Sequence, residues 1–79
     1  MTNKLPRLSG KEVVKILCNH FNFKIFNSRG SHLTLKNDTV RPPVLVEVVM
    51  HPEVAVGTLT EIINNSGVGR EAFIEAVNS

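Results

Sequence analysis

At Asn22 the spacing of apolar residues changes, and that change constrains the fold more than any other feature of this chain. Before it, Val13, Ile16, Leu17 and Phe21 recur at helical intervals. After it, Phe23 and Ile25 alternate with Lys24 and Phe26, and Leu33 and Leu35 alternate with His32, Thr34 and Lys36. A period near 3.6 buries one stripe of a helix, whereas a period of two buries one face of a strand. The chain therefore passes from a helix directly into a sheet.

Local signals punctuate both segments. Ser9-Gly10-Lys11-Glu12 has the form of a capping box, in which the serine oxygen and the glutamate three residues later satisfy free amides of the first turn; it predicts a helix from residue 10 to about residue 20, with Pro6 preventing an earlier start. Asn27-Ser28-Arg29-Gly30 reads as a hairpin turn, with Gly30 supplying a positive φ. A second turn at Asn37-Asp38 leads to Pro42-Pro43, which lack amides for a ladder, and then to a third strand, Val44-Leu45-Val46-Glu47-Val48-Val49. Thr58-Leu59-Thr60-Glu61 repeats the capping-box pattern ahead of a helix with Leu59, Ile62 and Ile63 on its apolar face, ending near Asn65 and Gly67. A last short helix, Arg70 to Val77, is centred on Phe73, Ile74 and Val77.

The expected order is α-β-β-β-α-α, an α+β chain with one three-stranded antiparallel sheet. Helices that bracket a small meander share one core, so they belong on one sheet face, the one carrying Phe23, Ile25, Leu33, Leu35, Val46 and Val48. Alternation then sends Lys24, Phe26, His32, Thr34, Lys36, Leu45, Glu47 and Val49 to the opposite face, which the remaining sequence cannot cover. With 79 residues, 42% of them apolar, one modest core is affordable, and residues 1–79 are expected to form a single domain.

Composition narrows the functional classes. Cys18 is the only cysteine, which excludes an internal disulfide framework and suits a reducing cytosol. The stretch MTNKLPRLSG lacks the apolar segment of a signal peptide, and no apolar run approaches the ~20 residues of a membrane span, so a soluble cytoplasmic protein with no membrane partner is expected. Nine Lys and Arg against seven Asp and Glu give a net charge of +2, which permits a polyanionic partner without requiring one. No pair of His or Cys has metal-ligand spacing, so neither a metal nor a cofactor is expected. His20 near the end of the first helix complements its dipole, His51 before Pro52 reads as a loop-shaping residue, and Cys18 reads as a small buried hydrophobe. His32, taken alone, reads as an ordinary surface residue sooner than as a catalytic one.

The ordered set SGKEVVKIL, a Phe-containing first strand, Gly30-Ser31-His32 opening the second strand, and His51 six residues before Gly57-Thr58-Leu59 resembles the HicA family of toxin–antitoxin ribonucleases, over about Leu8 to Val77. The resemblance implies a double-stranded-RNA-binding-like fold, an mRNA interferase activity that stops growth, neutralisation by a HicB-type antitoxin, and His32 as the catalytic histidine. The chain departs from the family pattern at Val49, where a proline is usual, at Ala55-Val56, where lysines are usual, and at Thr60-Glu61 on a helix face that is often basic. These departures thin the positive surface that would grip RNA.

Chemistry gives the histidine a role consistent with that resemblance. RNA cleavage needs the 2′-hydroxyl deprotonated and the departing 5′-oxygen protonated, and imidazole, with an unperturbed pKa of ~6.5, can do either near neutrality. The expected enzyme is a metal-independent endoribonuclease, a hydrolase of phosphodiester bonds, with His32 as general acid or base. Candidate RNA contacts are Lys24, Arg29, Gly30, Ser31, Lys36 and Arg41, with the amides near Gly57 and Thr58 as a second anion site. Phe26, His32, Leu45 and Val49 form the candidate surface for the antitoxin or a second copy. The expected partners are mRNA and a HicB-type antitoxin, in a dimer or a toxin–antitoxin hetero-oligomer. The alternative is a non-catalytic RNA-binding or protein-interaction module on the same fold.

Overall fold

The first helix, α1 (Gly10–His20), starts where its cap predicts. The Ser9 hydroxyl accepts from the Glu12 amide at 3.1 Å and the Glu12 carboxylate accepts from the Ser9 amide at 2.9 Å, so the box is complete. Val13 and Leu17 on its inner face are fully buried. After the helix, Asn22 turns the chain with a φ of 64°, a left-handed conformation that asparagine tolerates better than most residues. These coordinates come from a computed structural model that describes residues 5–79; residues 1–4, part of the expected 1–79 domain and of the MTNKLPRLSG stretch, lie outside the described residues.

The sheet consists of β1 (Lys24–Arg29), β2 (His32–Asn37) and β3 (Val44–Val49), antiparallel and in chain order. Gly30 has a φ of 59° as expected, but the turn is shorter than the four residues read from the sequence: Asn27, Ser28 and Arg29 belong to β1, and only Gly30 and Ser31 connect the strands. Two-residue hairpin loops with glycine first match the right-handed twist of their strands. The longer β1 is accommodated by a bulge: Ile25 pairs with Leu35 and Asn27 with Thr34, leaving Phe26 as the extra residue.

The helices cover the sheet unevenly. α2 (Val56–Ser66) and α1 both pack on β3, and α3 (Arg70–Val77) lies against α1 and α2. Leu35, Val46 and Val48 are buried beneath them with Leu59, Ile62 and Phe73, as the alternation requires. Ile25, however, expected in that core, is 61% exposed. It shares a face with its partner Leu35, but β1 is an edge strand, all six of its residues are exposed, and the helix layer does not extend over it.

The second helix also departs from expectation. Thr58 is not its cap: α2 begins three residues earlier than that cap would set, after Ala55, whose side chain cannot cap. The cause is tertiary. Val54 is buried and its amide donates to the Leu8 carbonyl at 2.7 Å, which anchors the chain immediately before the helix, and the Leu59 amide reaches the Ala55 carbonyl at 2.8 Å. The helix closes at Gly67, in the left-handed region with φ 78°. Among the described residues no helix is long and apolar enough to cross a membrane.

The two halves meet at the turn end of the sheet. Gly10 is buried, its amide donates to the His51 carbonyl at 2.9 Å, and a Cβ there would fall on the Val49 carbonyl oxygen and lie 2.8 Å from Met50 Cα. On the other side the Met50 amide donates to the Ser31 carbonyl at 2.7 Å, extending the β2–β3 ladder past His32. The start of α1 is therefore seated directly on the backbone that pairs with the Ser31-His32 segment.

Candidate functional site

The uncovered sheet face is ordered by cross-strand pairing. At the turn end Arg29 faces His32, which faces Val49; in the middle Asn27, Thr34 and Glu47 align; at the far end Lys24, Lys36 and Leu45 align. Paired residues share a face, so the Phe26 bulge has a direct consequence. Unbroken alternation from Lys24 would have sent Arg29 toward the helix side. The extra residue reverses the parity, and Arg29 stands on the same face as His32.

The His32 side chain is 50% exposed, and its Nδ1 lies 3.3 Å from Oε1 of Glu47, whose own side chain is 61% exposed. Glu47 is its diagonal neighbour, one pair further along β3. Sequence reasoning placed Glu47 on this face but gave it no role; the register, which a single sequence does not reveal, was the missing signal. Gly30 and Ser31 form the turn beside His32, and Ser31 is held through its carbonyl by Met50.

The other candidate RNA contacts are dispersed. Lys36 is four residues along β2 from His32, roughly 13 Å at strand rise, and its Nζ sits 4.9 Å from the centre of the Phe26 ring, close enough for cation–π attraction. Lys24 pairs with Lys36, so two like charges are adjacent there. Arg41 lies beyond the far end of β2, where its guanidinium donates to the Asp38 carbonyl at 2.7 Å and pairs with the Asp38 carboxylate at 3.2 Å. That tether holds it away from His32. Gly57 and Thr58 are exposed on the first turn of α2, in the helix layer. Phe26, at 57% exposure, and Leu45, at 50%, make an apolar patch around Lys36 rather than around His32, and only Val49 of that set is the histidine's direct neighbour.

The remaining chemistry-bearing side chains lie elsewhere. The exposed His51 acts through its carbonyl on Gly10. His20 closes α1 with its ring 6.3 Å from that of Phe21, and Cys18 packs partly buried against the core, where burial pushes its thiol pKa up. Among the described residues no cluster of three or more His, Cys, Asp or Glu is arranged to hold a metal ion. Grooves flank α1 and α3, lined by residues such as Glu12, Lys15, His20 and Val77, and His32 is not among the residues that line them.

No match is found among curated proteins or among solved structures. A family model described as the HicA toxin of bacterial toxin-antitoxin matches residues 10–68, which span α1, the whole sheet with its His32 face, and α2. With most of its length and all three strands inside that match, the chain belongs to the HicA toxin family of bacterial toxin–antitoxin systems.

Proposed function

We propose that the chain is a ribonuclease toxin that cleaves mRNA without a metal ion, with His32 as its general acid or base and a HicB-type antitoxin as its inhibitor. One observation carries the reading: His32 stands half-exposed on an uncovered sheet face, directly opposite Arg29, on a strand whose reverse side is core. A positioned imidazole beside a guanidinium is what transesterification of RNA requires. The 2′-oxygen attacks phosphorus, the bond to the 5′-oxygen breaks, and a 2′,3′-cyclic phosphate and a 5′-hydroxyl result. His32 takes the 2′ proton or delivers the 5′ proton, and water serves the other transfer. Arg29 offers a planar, permanently charged fork to the phosphate.

Lys24 and Lys36 extend the positive charge along the same face, where backbone contacts would hold a strand without reading its sequence. A partner covering Phe26, Leu45 and Val49 would bury exposed apolar surface and occlude His32 in one step. The toxin would then form a hetero-oligomer when neutralised.

Induced expression is expected to arrest growth, and the purified protein is expected to cut RNA in the presence of a chelator. His32→Ala should lower cleavage by ~10²–10⁴-fold, the usual worth of one positioned acid or base, while leaving the thermal midpoint unchanged. An equally toxic alanine variant refutes the assignment. A folded wild-type protein that binds RNA but never cleaves it supports the non-catalytic alternative.

A further inference from the structure

We infer that Glu47 is a positioning residue for His32: its carboxylate faces Nδ1 and favours the hydrogen there, holds the ring on the sheet face, and leaves Nε2 as the nitrogen presented to RNA. This rests on the reading of His32 as the reacting group.

The register brings the two together. His32 pairs with Val49 and Thr34 pairs with Glu47, so Glu47 is the diagonal neighbour on the same face, within reach of a long side chain. Its Oε1 lies 3.3 Å from Nδ1, the ring nitrogen nearer the backbone, which leaves Nε2 at the outer end of the imidazole. A carboxylate can only accept, so beside a neutral imidazole it selects the tautomer with hydrogen on Nδ1 and a lone pair on Nε2. In the protonated ring the same contact sets the carboxylate against Nδ1–H and leaves Nε2–H free to be donated. Either direction of proton transfer therefore runs through Nε2, and no proton needs to move to Glu47.

The surroundings leave few other groups to orient this ring. From β1 it faces Arg29, a donor that cannot accept the Nδ1 proton; from β3 it faces Glu47 and the apolar Val49; the helices pack on the reverse side of the sheet. An exposed ion pair adds little to stability, so its principal effect here is on where the ring points and which nitrogen is bare. RNA laid over the face would exclude water from the pair and strengthen it.

The test uses the free protein labelled with nitrogen-15 at histidine, together with RNA cleavage. At a pH where His32 is neutral, its ring spectrum should show the Nδ1–H tautomer. In Glu47→Ala the Nε2–H form should become the major one, kcat should fall about tenfold, short of the ~10²-fold that misplacement of a reacting group can cost, and KM should change less than twofold. Glu47→Gln, whose amide oxygen can still accept, should retain the Nδ1–H tautomer and recover part of the rate. Identical tautomers in wild type and Glu47→Ala overturn the inference, as does full activity of Glu47→Ala. An inactive His32→Ala beside a fully active Glu47→Ala removes the role of Glu47 alone. An active His32→Ala removes both this inference and the assignment on which it rests.

Discussion

Replacing Gly10 with alanine isolates the contact that seats α1 on the sheet. Near a helix start the substitution would ordinarily be neutral or favourable, by at most ~1 kcal/mol of helix propensity. Here the added Cβ falls on the Val49 carbonyl oxygen, with Met50 Cα at 2.8 Å and the Val49 carbonyl carbon at 2.9 Å. All three are backbone atoms, so no rotamer change relieves the overlap, and the helix start must move away from β3. Such overpacking typically costs ~1–3 kcal/mol, and loss of the Gly10 amide's bond to the His51 carbonyl removes about 0.5–1.5 kcal/mol more. After the propensity gain is subtracted, a net destabilisation of about 0.5–3.5 kcal/mol remains. For a chain of this size each kcal/mol lowers the melting midpoint by ~4–8 °C, so thermal unfolding followed by circular dichroism should show a drop of about 10 °C. Gly57→Ala is the control, since a Cβ there meets nothing within 4 Å and the site is helical; its midpoint should stay level or rise. If Gly10→Ala unfolds no earlier than wild type, the seating of α1 on β3 is wrong.

Three other outcomes follow from specific residues. The Ser9 amide, then the Ser9 hydroxyl, hold the Glu12 carboxyl below its ordinary pKa of 4.5, with Lys15 adding to this and slight desolvation opposing it. A depressed carboxylate contributes stability above its unfolded pKa and loses it as pH falls through the folded value; the difference in melting midpoint between wild type and Glu12→Gln should therefore be full above pH 4.5 and close below it. Burial raises the Cys18 thiol, so a thiol reagent near neutral pH should modify it more slowly than free cysteine, and urea should abolish the difference. On the proposed RNA face, Lys24→Ala and Lys36→Ala in a His32→Ala background should each flatten the dependence of log K on log salt by ~0.7, the value for one phosphate contact on a single strand; an unchanged slope removes both lysines from the interface.

The readable parts of the fold are those set by nearby residues. Ser9 and Glu12 are three apart and satisfy each other, so α1 begins where its sequence says. Leu33 and Leu35 flank Thr34 on one strand, so the outward direction of His32 follows from alternation alone. What escaped reading depends on segments distant in sequence. The Phe26 bulge exists only in relation to β2, and with it goes the parity that brings Arg29 to His32. Thr58 and Glu61 have the capping pattern, but Val54, held by Leu8 and buried, starts the helix upstream of them. Ile25 alternates as a core residue should and is exposed because helix coverage ends before the edge strand. Arg41 is a local exception: it pairs with Asp38, three residues away, through a loop conformation that spacing alone does not fix.

The uneven cover of the sheet divides the candidate site into two mechanical halves. β2 and β3 carry His32, Glu47 and Val49 on one side and buried Leu35, Val46 and Val48 on the other, and the Gly10 and Met50 contacts lock their turn end. A side chain on that platform inherits the rigidity of the core beneath it, which a proton-transfer group needs, because catalysis falls steeply with small misplacement. β1 carries Lys24, Phe26 and Arg29 but contributes no buried residue, so its position rests on its ladder with β2 and on the two-residue turn. Strands held this way belong to the low-stability end of a structure. A phosphate contact tolerates that compliance, since a long cationic side chain needs only to remain within reach of its anion. On the proposed reading, acid–base chemistry sits on the strands backed by the core and strand gripping on the edge strand. The exposed edge strand, the least rigid of the three, thereby takes the task that demands least precision.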